Sequence, residues 1–331
     1  MMKQEEPLPL VSILTPVYNG KAFLDRFLRC ILEQAYPRIE LVLVDDGSTD
    51  GSFDTAENYV DAFQRRGYSL RCFRQEHAGA AAAINRGLAE FTGEYLKWMD
   101  CDDLLEPTCI EEQMEFLKAH PEYGFTICDS RYVENGNLEE TLRIFGRKTN
   151  GKDDYFRDIL RGTHNYSLGS GTILVSRENL LHAIPMMQIY ASMEGQNYQL
   201  MLPLTYHFTC GYLRRPLFRR VLRNDSHSKM TRSYQEQKER CDHFIVLMKE
   251  TVRRMHILEE EEAFDLIDRR FTRQKFLLAY ENGDLREAEY CGALLHKKKD
   301  LSRKEALKWM VSRHPLLYSM LKQQVKQADE H

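Results

Sequence analysis

About 120 residues at the start of this 331-residue chain alternate four times between an apolar, β-rich run and a segment with helical spacing. The first strand is predicted at residues 10–15 and the second at "IELVLVDD", and the next two at "SLRCFRQ" and "EYLKWMD". Because a helical segment follows each of them, we predict an α/β fold in which helices cover both faces of a mainly parallel sheet.

Polar clusters follow three of these strands at the point where each strand ends. They are "TPVYN" after the first strand, "DDGSTD" after the second and "DCDD" after the fourth. In open α/β sheets, ligands bind outside the carboxyl ends of the strands. We therefore expect the three clusters to meet at one edge of the sheet.

The "DCDD" cluster places Asp100, Asp102 and Asp103 within four positions. Mg²⁺ and Mn²⁺ prefer oxygen ligands and are often held by one or two carboxylates plus substrate phosphates. A divalent ion would also relieve the repulsion between these carboxylates. The alternative is a solvated acidic turn that caps the helix starting near Pro107.

The "VDDGSTDGS" segment leaves two interpretations open. Asp45 and Asp46 follow a buried strand, and Gly47 permits a tight turn. These residues are typical of a helix N-cap. A carboxylate here can also accept hydrogen bonds from a nucleobase N–H or a ribose hydroxyl.

Composition restricts the class of protein. The net charge is -4, so nothing favours binding to nucleic acid. The eight cysteines are scattered without C-x-x-C spacing, which argues against a zinc site or a redox pair and fits a reducing cytosol. The acidic N-terminus does not resemble a signal peptide, and no run approaches the roughly 20 apolar residues of a membrane span. We expect a cytoplasmic protein that is at most peripheral at the inner face of the membrane.

Three segments in this order and at this spacing resemble the family 2 glycosyltransferases. They are "SILTPVYNG", "LVLVDDGSTDGS" and "HAGAAAAINRGLAEFTGEYLKWMDCDD", and the resemblance covers roughly residues 8–228. It implies the GT-A fold, a Rossmann-like, mostly parallel sheet flanked by helices. It also implies transfer of a sugar, with inversion, from a nucleotide-sugar donor, with a UDP-sugar favoured. A nucleotidyltransferase is less consistent, because "TPVYNGKAF" is not a Gly-rich phosphate loop.

The resemblance also implies roles for individual residues. Donor-binding residues would be Thr15, Pro16, Tyr18, Asn19, Asp46, Asn85, Asp102 and Arg223. Metal ligands for Mn²⁺ or Mg²⁺ would be Asp100, Asp102, Asp103 and His227. One departure is Ile84, which stands where the family often has an Arg, so a sugar-diphosphate contact from that position is in question.

The catalytic base is the largest departure from the family pattern. Aligning the family's aromatic residue on Tyr198 puts Asn197 where the catalytic Asp is expected and Gln196 where a Glu is expected. A neutral amide cannot take the proton of an acceptor hydroxyl. We therefore assign the base to Glu194, the nearest carboxylate. The alternative is a nucleotide-sugar-binding module that has lost catalysis.

The sequence after about residue 228 is rich in charged residues and contains few segments typical of strands. We predict a GT-A nucleotide-sugar-binding and catalytic domain at 1–228 and a helical C-terminal region at 229–331. The segment around Trp309 carries apolar and basic residues at helical spacing. It is either a helix packed on the body or a basic amphipathic helix that contacts anionic lipid. The acceptor would be a saccharide or a lipid-linked saccharide of surface polysaccharide or lipopolysaccharide biosynthesis. The alternative to membrane contact is a homo-oligomer formed through the C-terminal helices.

Overall fold

The computed structural model describes residues 7–146, 154–164, 166–167, 169–192, 195–223 and 232–329, with backbone alone for 325–329. The strands are β1 (Val11–Val17), β2 (Ile39–Asp45), β3 (Ser69–Arg74), β4 (Tyr95–Trp98), β5 (Leu104–Leu105), β6 (Phe125–Glu134), β7 (Arg143–Phe145), β8 (Ile173–Ser176) and β9 (Cys210–Leu222). The helices are α1 (Lys21–Leu32), α2 (Ser52–Glu57), α3 (Val60–Arg66), α4 (Ala80–Glu90), α5 (Cys109–Ala119), α6 (Tyr155–Arg161), α7 (Arg177–Ala183), α8 (Gln196–His207), α9 (Tyr234–Met255), α10 (Glu260–Asn282), α11 (Leu285–Lys297), α12 (Arg303–Ser312) and α13 (Pro315–Asp329).

The strands form one mixed sheet in the order β3-β2-β1-β4-β8-β6-β9-β5, with β7 paired to β6. β1 pairs in parallel with β2 on one side and β4 on the other, and β3 continues the parallel half beside β2. β8 is antiparallel to both β4 and β6. The predicted α/β fold is confirmed, with a parallel half that carries the sequence motifs and a mixed half beyond it.

Strands β1 and β2 of the parallel half are buried on both faces. Every residue of β2 is buried, and β1 is buried except at the half-buried Pro16. Such strands read as continuous apolar runs because helices cover both faces. On α1, Leu24, Phe27, Leu28 and Ile31 are all buried, which is the spacing of one helix face.

Helix α4 lies close to β1 because it has no side chain at Gly87. A Cβ there would lie 1.8 Å from Cδ1 of Leu14, a fully buried side chain. Gly87 lies within the "AAINRG" segment that carries part of the family resemblance. Because Gly87 has no side chain, α4, which bears Asn85, can pack closely against β1, which bears Thr15.

The chain divides into two compact units. The first comprises Met1–Ile159 and His164–Lys229, and the second comprises Leu160–Thr163 and Met230–His331. The second unit is helical, as predicted, and α9 and α12 each begin with a capping box, Ser233 with Glu236 and Ser302 with Glu305. The boundary predicted at Ser228 lies outside the described residues, and the functional division of the chain remains a prediction. In the described part of the chain, no helix is both long enough and apolar enough to cross a membrane.

Candidate active site

Strands β1 and β2 end side by side, since their last residues Val17 and Asp45 are paired. The last residue of β4, Trp98, pairs with Leu14, three residues before the end of β1. The loops after β1 and β2 are joined by Asn19. Its backbone N–H donates to Ser48 Oγ at 2.9 Å, and its side-chain oxygen accepts from the Thr49 N–H at 2.9 Å. Asn19 itself has φ 49°, a left-handed conformation that Asn tolerates better than most residues. Thr15 is fully buried at the base of this loop, and its Oγ1 has no hydrogen-bond partner among the described residues.

Asp46 organises the loop between β3 and α4. Its Oδ1 accepts hydrogen bonds from Gln75 Nε2 at 2.7 Å and Ala78 N at 3.0 Å, and its Oδ2 accepts one from Gly79 N at 2.8 Å. The residue is only 2% exposed. A nucleobase that contacts this carboxylate, as the resemblance implies, would have to share these lone pairs. The assignment of Asp46 to the base stays a prediction.

An aromatic pair lies on the exposed side of this loop. The rings of Tyr18 and His77 stack with centroids 4.0 Å apart and an angle of 21° between their planes. His77 Nδ1 lies 2.9 Å from Asp46 Oδ2, which fixes the imidazole in place. Tyr18 is half exposed. His77 was not predicted as a site residue. Its only sequence indication is its place at the start of "HAGAAAA", a segment that carries part of the family resemblance.

The three aspartates of the "DCDD" segment form one cluster. One carboxylate oxygen from each of Asp100, Asp102 and Asp103 lies within 4.8 Å of the others. Asp103 Oδ1 accepts from the Val221 N–H at 2.9 Å, and Asp102 Oδ2 accepts from Arg223 Nη2 at 2.6 Å. Each of these two carboxylates thus keeps a second oxygen. Three hard oxygen donors at this separation suit Mg²⁺ or Mn²⁺.

Two carboxyl groups of the cluster, those of Asp100 and Asp103, have a raised pKa. Asp100 is exposed at the surface, but nearby protein atoms displace part of its hydration and Asp102 adds a negative charge, so the pKa of Asp100 rises to about 6. The same two causes raise the pKa of Asp103 well above its ordinary value. Arg220 partly opposes both shifts. Excess negative charge in a partly desolvated site favours a cation there.

Strand β9 supplies the basic side of the cluster. Arg223 follows its last residue, and besides its ion pair with Asp102 its guanidinium lies 4.1 Å above the ring of Phe23 on α1. Arg26 on α1 donates to the Asp102 carbonyl at 3.2 Å. The predicted donor residue Arg223 and the predicted metal ligand Asp102 are therefore in direct contact. His227 lies outside the described residues.

The segment before α8 is held by two side-chain amides. Asn85 on α4 donates to the Ile189 carbonyl at 3.0 Å and accepts from the Ile189 N–H at 2.8 Å. Gln199 on α8 binds the N–H and carbonyl of Tyr190 in the same way. Asn85 was predicted to contact the donor, and Gln199 had no predicted role. Their backbone partners, Ile189 and Tyr190, are set by the tertiary fold and cannot be recognised in the sequence.

Asn197 lies in the first turn of α8, and Gly195, with φ 81°, immediately precedes this helix. The side-chain oxygen of Asn197 accepts a hydrogen bond from the Trp98 indole N–H at 3.4 Å. Trp98 is the last residue of β4 and lies two positions before Asp100. The residue that aligns with the family's catalytic Asp is therefore next to the strand that carries the acidic cluster. Glu194, our candidate base, lies outside the described residues.

Together, the parallel half-sheet, the joined loops and the acidic cluster define a GT-A glycosyltransferase. The glycosyl transferase family 2 model matches residues 12–184, and the chain belongs to this family. This confirms the family and the fold that the sequence motifs indicated.

Two relatives illustrate the sequence similarity. An uncharacterised glycosyltransferase of Haemophilus influenzae is 34% identical over 179 residues, 52% of this chain and 64% of its own length. TuaG of Bacillus subtilis, a glycosyltransferase provisionally assigned to teichuronic acid biosynthesis, is 35% identical over 171 residues, 51% of this chain and 63% of its own length. The chain thus spans less than two thirds of either relative.

Solved structures extend the similarity in fold to both units. Residues 1–349 of S. aureus TarS, in complex with UDP-GlcNAc, match with a TM-score of 0.61 at 17% identity, over 95% of this chain and 92% of that one. The mannosyltransferase PcManGT of Pyrobaculum calidifontis, in complex with GDP-Man and Mn²⁺, matches with a TM-score of 0.50 at 17% identity, over 94% and 86%.

Proposed function

We propose that this chain is an inverting, metal-dependent glycosyltransferase that moves a sugar from a UDP-sugar to a hydroxyl of a saccharide or lipid-linked acceptor. The observation that carries the proposal is the direct contact of Arg223 with Asp102 inside the acidic cluster. This contact joins a guanidinium, which suits phosphate oxygens, to carboxylates that suit a divalent cation. A diphosphate needs both kinds of partner.

On the donor side, the chain's own residues would bind and orient the nucleotide. The exposed ring of Tyr18, braced by His77, offers an aromatic surface for the base, and Asn19 and Ser48 keep the two loops together around it. Asp100, Asp102 and Asp103 would hold Mn²⁺ or Mg²⁺, with His227 as a further ligand. When bound, such an ion stabilises the charge of the departing diphosphate.

On the acceptor side, Glu194 would take the proton of the attacking hydroxyl. The acceptor oxygen then forms its bond to the anomeric carbon as the bond to the diphosphate breaks, which inverts the configuration. The side-chain amides of Asn85 and Gln199 support this role, because their hydrogen bonds to Ile189 and Tyr190 hold the backbone that leads toward residue 194. The names of the relatives and the UDP-GlcNAc complex of TarS favour a UDP-sugar donor and a surface polysaccharide pathway.

Activity measurements on three variants test the assignment of the base. Glu194→Gln should abolish transfer while leaving UDP binding intact, because a neutral amide cannot accept the proton. Asn197→Asp should retain activity, and the double variant should regain part of it through the carboxylate restored beside Trp98. Equal, negligible turnover in the wild-type protein and all variants would instead support the second candidate. That candidate is a nucleotide-sugar-binding module without catalysis, motivated by Asn197 at the position of the catalytic Asp.

We also propose that the C-terminal helices contact an anionic membrane at the inner face. The supporting observation is a set of exposed apolar side chains on α12 and α13, here called the apolar face: Leu307, Met310, Leu316, Leu317, Met320 and Leu321. Arg303, Lys304 and Arg313 are exposed on the same two helices or directly beside them. Apolar side chains bordered by basic ones are typical of helices at an anionic lipid surface. A lipid-linked acceptor would be presented there, and self-association is the competing use of this face.

A further inference from the structure

The helical unit contains a cavity of about 710 Å³ that the proposed reaction does not use. Three parts of that unit form its walls: α10, the connection from α11 into α12, and the short segment Arg161–Thr163. Gly162 has φ 71° and lies against α10, where a Cβ would be 2.8 Å from Nε of Arg270. The volume is within the range of about 300–1,000 Å³ that is typical of small-molecule sites.

The cavity is strongly cationic because of the spacing of residues on α10. Leu266, Arg269, Arg270 and Arg273 follow one another at intervals of three, one and three residues, which brings them to one face of the helix. Arg161 and Lys299 add two further cations from the other walls. Against these five cations, the lining contains two acidic residues, Asp300 and Glu305.

Internal ion pairs account for part of this charge. Arg273 lies 3.0 Å from Asp300 and 3.1 Å from Glu305, so both acids of the lining are already engaged. Arg269 pairs with Asp265 on its own helix at 2.5 Å. These pairs orient the arginine stripe and use both acidic residues of the lining, so neither is left for Arg161 or Lys299.

Three groups in the cavity lack a hydrogen-bond or ion-pair partner among the described residues. Nε of Arg269 is buried and has no hydrogen-bond partner in the described part of the chain. Arg161 and Lys299 are exposed, and neither forms an ion pair with any described residue. A buried, unpaired guanidinium N–H is costly, and an anion that accepted its hydrogen bond would remove that cost.

We propose that this cavity binds a phosphate-bearing ligand. Guanidinium groups match tetrahedral phosphate oxygens with paired N–H donors, and the two unpaired cations supply charge at the opening. The volume leaves room for more than one phosphate group, such as a phosphodiester or a phosphorylated sugar. The same chemistry is offered by a soluble phosphorylated glycan and by a phospholipid headgroup, and the two sources can be separated experimentally.

Calorimetric titration of the full-length chain with inorganic pyrophosphate tests the site. EDTA is included so that the acidic cluster holds no cation. The double variant Arg161→Gln/Lys299→Asn removes both unpaired charges, and Asn is compatible with the φ of 55° at position 299. We expect it to weaken binding by roughly tenfold or more. The charge-matched control Arg286→Gln/Lys297→Gln changes two exposed cations of α11 outside the cavity lining and should bind like the wild type.

Other results would overturn the proposal. They are no pyrophosphate binding together with no vesicle binding that depends on Arg161 and Lys299, equal weakening in both double variants, or loss of binding in Asp102→Asn alone, which would locate the anion at the acidic cluster. Sedimentation with vesicles of phosphatidylcholine containing phosphatidylglycerol identifies the source. Vesicle binding that needs Arg161 and Lys299 while pyrophosphate does not bind assigns the cavity to a lipid headgroup.

Discussion

Asn85 holds Ile189 by both backbone groups, with its amide donating to the carbonyl at 3.0 Å and accepting from the N–H at 2.8 Å. The two residues are 104 positions apart in the chain. Asn85 lies on the helix packed against the central strand, whereas Ile189 precedes the helix that carries Asn197. This pair therefore connects the rigid sheet to the segment where acceptor chemistry is proposed.

We expect Asn85→Asp to impair transfer while leaving the donor bound. The substitution replaces the amide donor with an oxygen that faces the Ile189 carbonyl, so one hydrogen bond becomes a repulsion. Loss of position in the acceptor segment should lower kcat by roughly 10- to 100-fold. Transfer kinetics and UDP thermal-shift assays on the same variant measure the two effects separately. Loss of UDP binding with unchanged kcat at saturation would instead support the donor contact predicted from the sequence.

Removal of a cluster carboxylate should abolish the metal dependence of donor binding. Asp103→Asn keeps an oxygen that can accept from the Val221 N–H, so the local fold is preserved. It removes one of three charges within 4.8 Å. We expect Mn²⁺ to raise the melting temperature of the UDP complex in the wild type and to have no such effect in the variant or after EDTA treatment.

The exposed Asp61 on α3 provides the control for this measurement, since Asp61→Asn changes the charge equally outside the cluster. If the Mn²⁺ response survived in Asp103→Asn and also in the Asn variants of Asp100 and Asp102, the metal would lie elsewhere.

We expect Gly87→Ala to destabilise the protein by about 1–3 kcal/mol, because the added methyl overlaps the fully buried Leu14 side chain. The helix-propensity gain of Ala over Gly, roughly 1 kcal/mol, opposes this without cancelling it. Urea unfolding gives the free energy. Gly136→Ala is the matched control, since a Cβ there meets nothing within 4 Å. Equal stability of the two variants would mean that α4 can move away from β1 at little cost.

The sequence allowed the parallel half of the sheet and the acidic cluster to be predicted, because local periodicity and strand ends determine both. The segment "GSGTILVSRENLL" itself reads as a strand running into a helix, as β8 and α7 show. The antiparallel pairing of β8 between β4 and β6 could not be predicted, since no local signal specifies which strands it joins. The same limit explains Asn85. The family resemblance suggested a donor contact for this residue, whereas its backbone partner Ile189 is specified by the tertiary fold.

Glu106 accepts hydrogen bonds at 2.6 Å from both Arg131 and Arg219, and all three side chains are largely buried. Burial by itself would raise the pKa of Glu106, but the bonds and charges of Arg219 and then Arg131 outweigh it and lower the pKa below 4.5. A lowered pKa stabilises the fold above pH 4.5, and this stabilisation is lost as the pH falls through the folded-state pKa. Glu106→Gln removes one partner of a largely buried ion pair and should destabilise the protein by roughly 3–5 kcal/mol at neutral pH. The difference from the wild type should shrink in acid, where Glu106 is protonated.

Chemical denaturation of both proteins at neutral pH and at a series of acidic pH values checks this expectation. Glu112 is as buried as Glu106, but its partner Arg215 is 60% exposed, so Glu112→Gln supplies the comparison. A constant difference between wild type and Glu106→Gln over the whole range would show that the carboxylate charge does not stabilise the fold.

The apolar face of α12 and α13 should mediate binding to anionic vesicles. Leu316 and Met320 are 84% and 60% exposed and lie one helical turn apart, so Leu316→Ser/Met320→Ser removes the centre of this face without opening the core. We expect the variant to sediment several-fold less with phosphatidylglycerol vesicles, because membrane affinity scales with buried apolar area. Val246→Ser changes an exposed apolar residue on α9 and should bind like the wild type. If the wild type ignores vesicles but dimerises through these two residues in analytical ultracentrifugation, the face serves self-association and the membrane proposal is wrong.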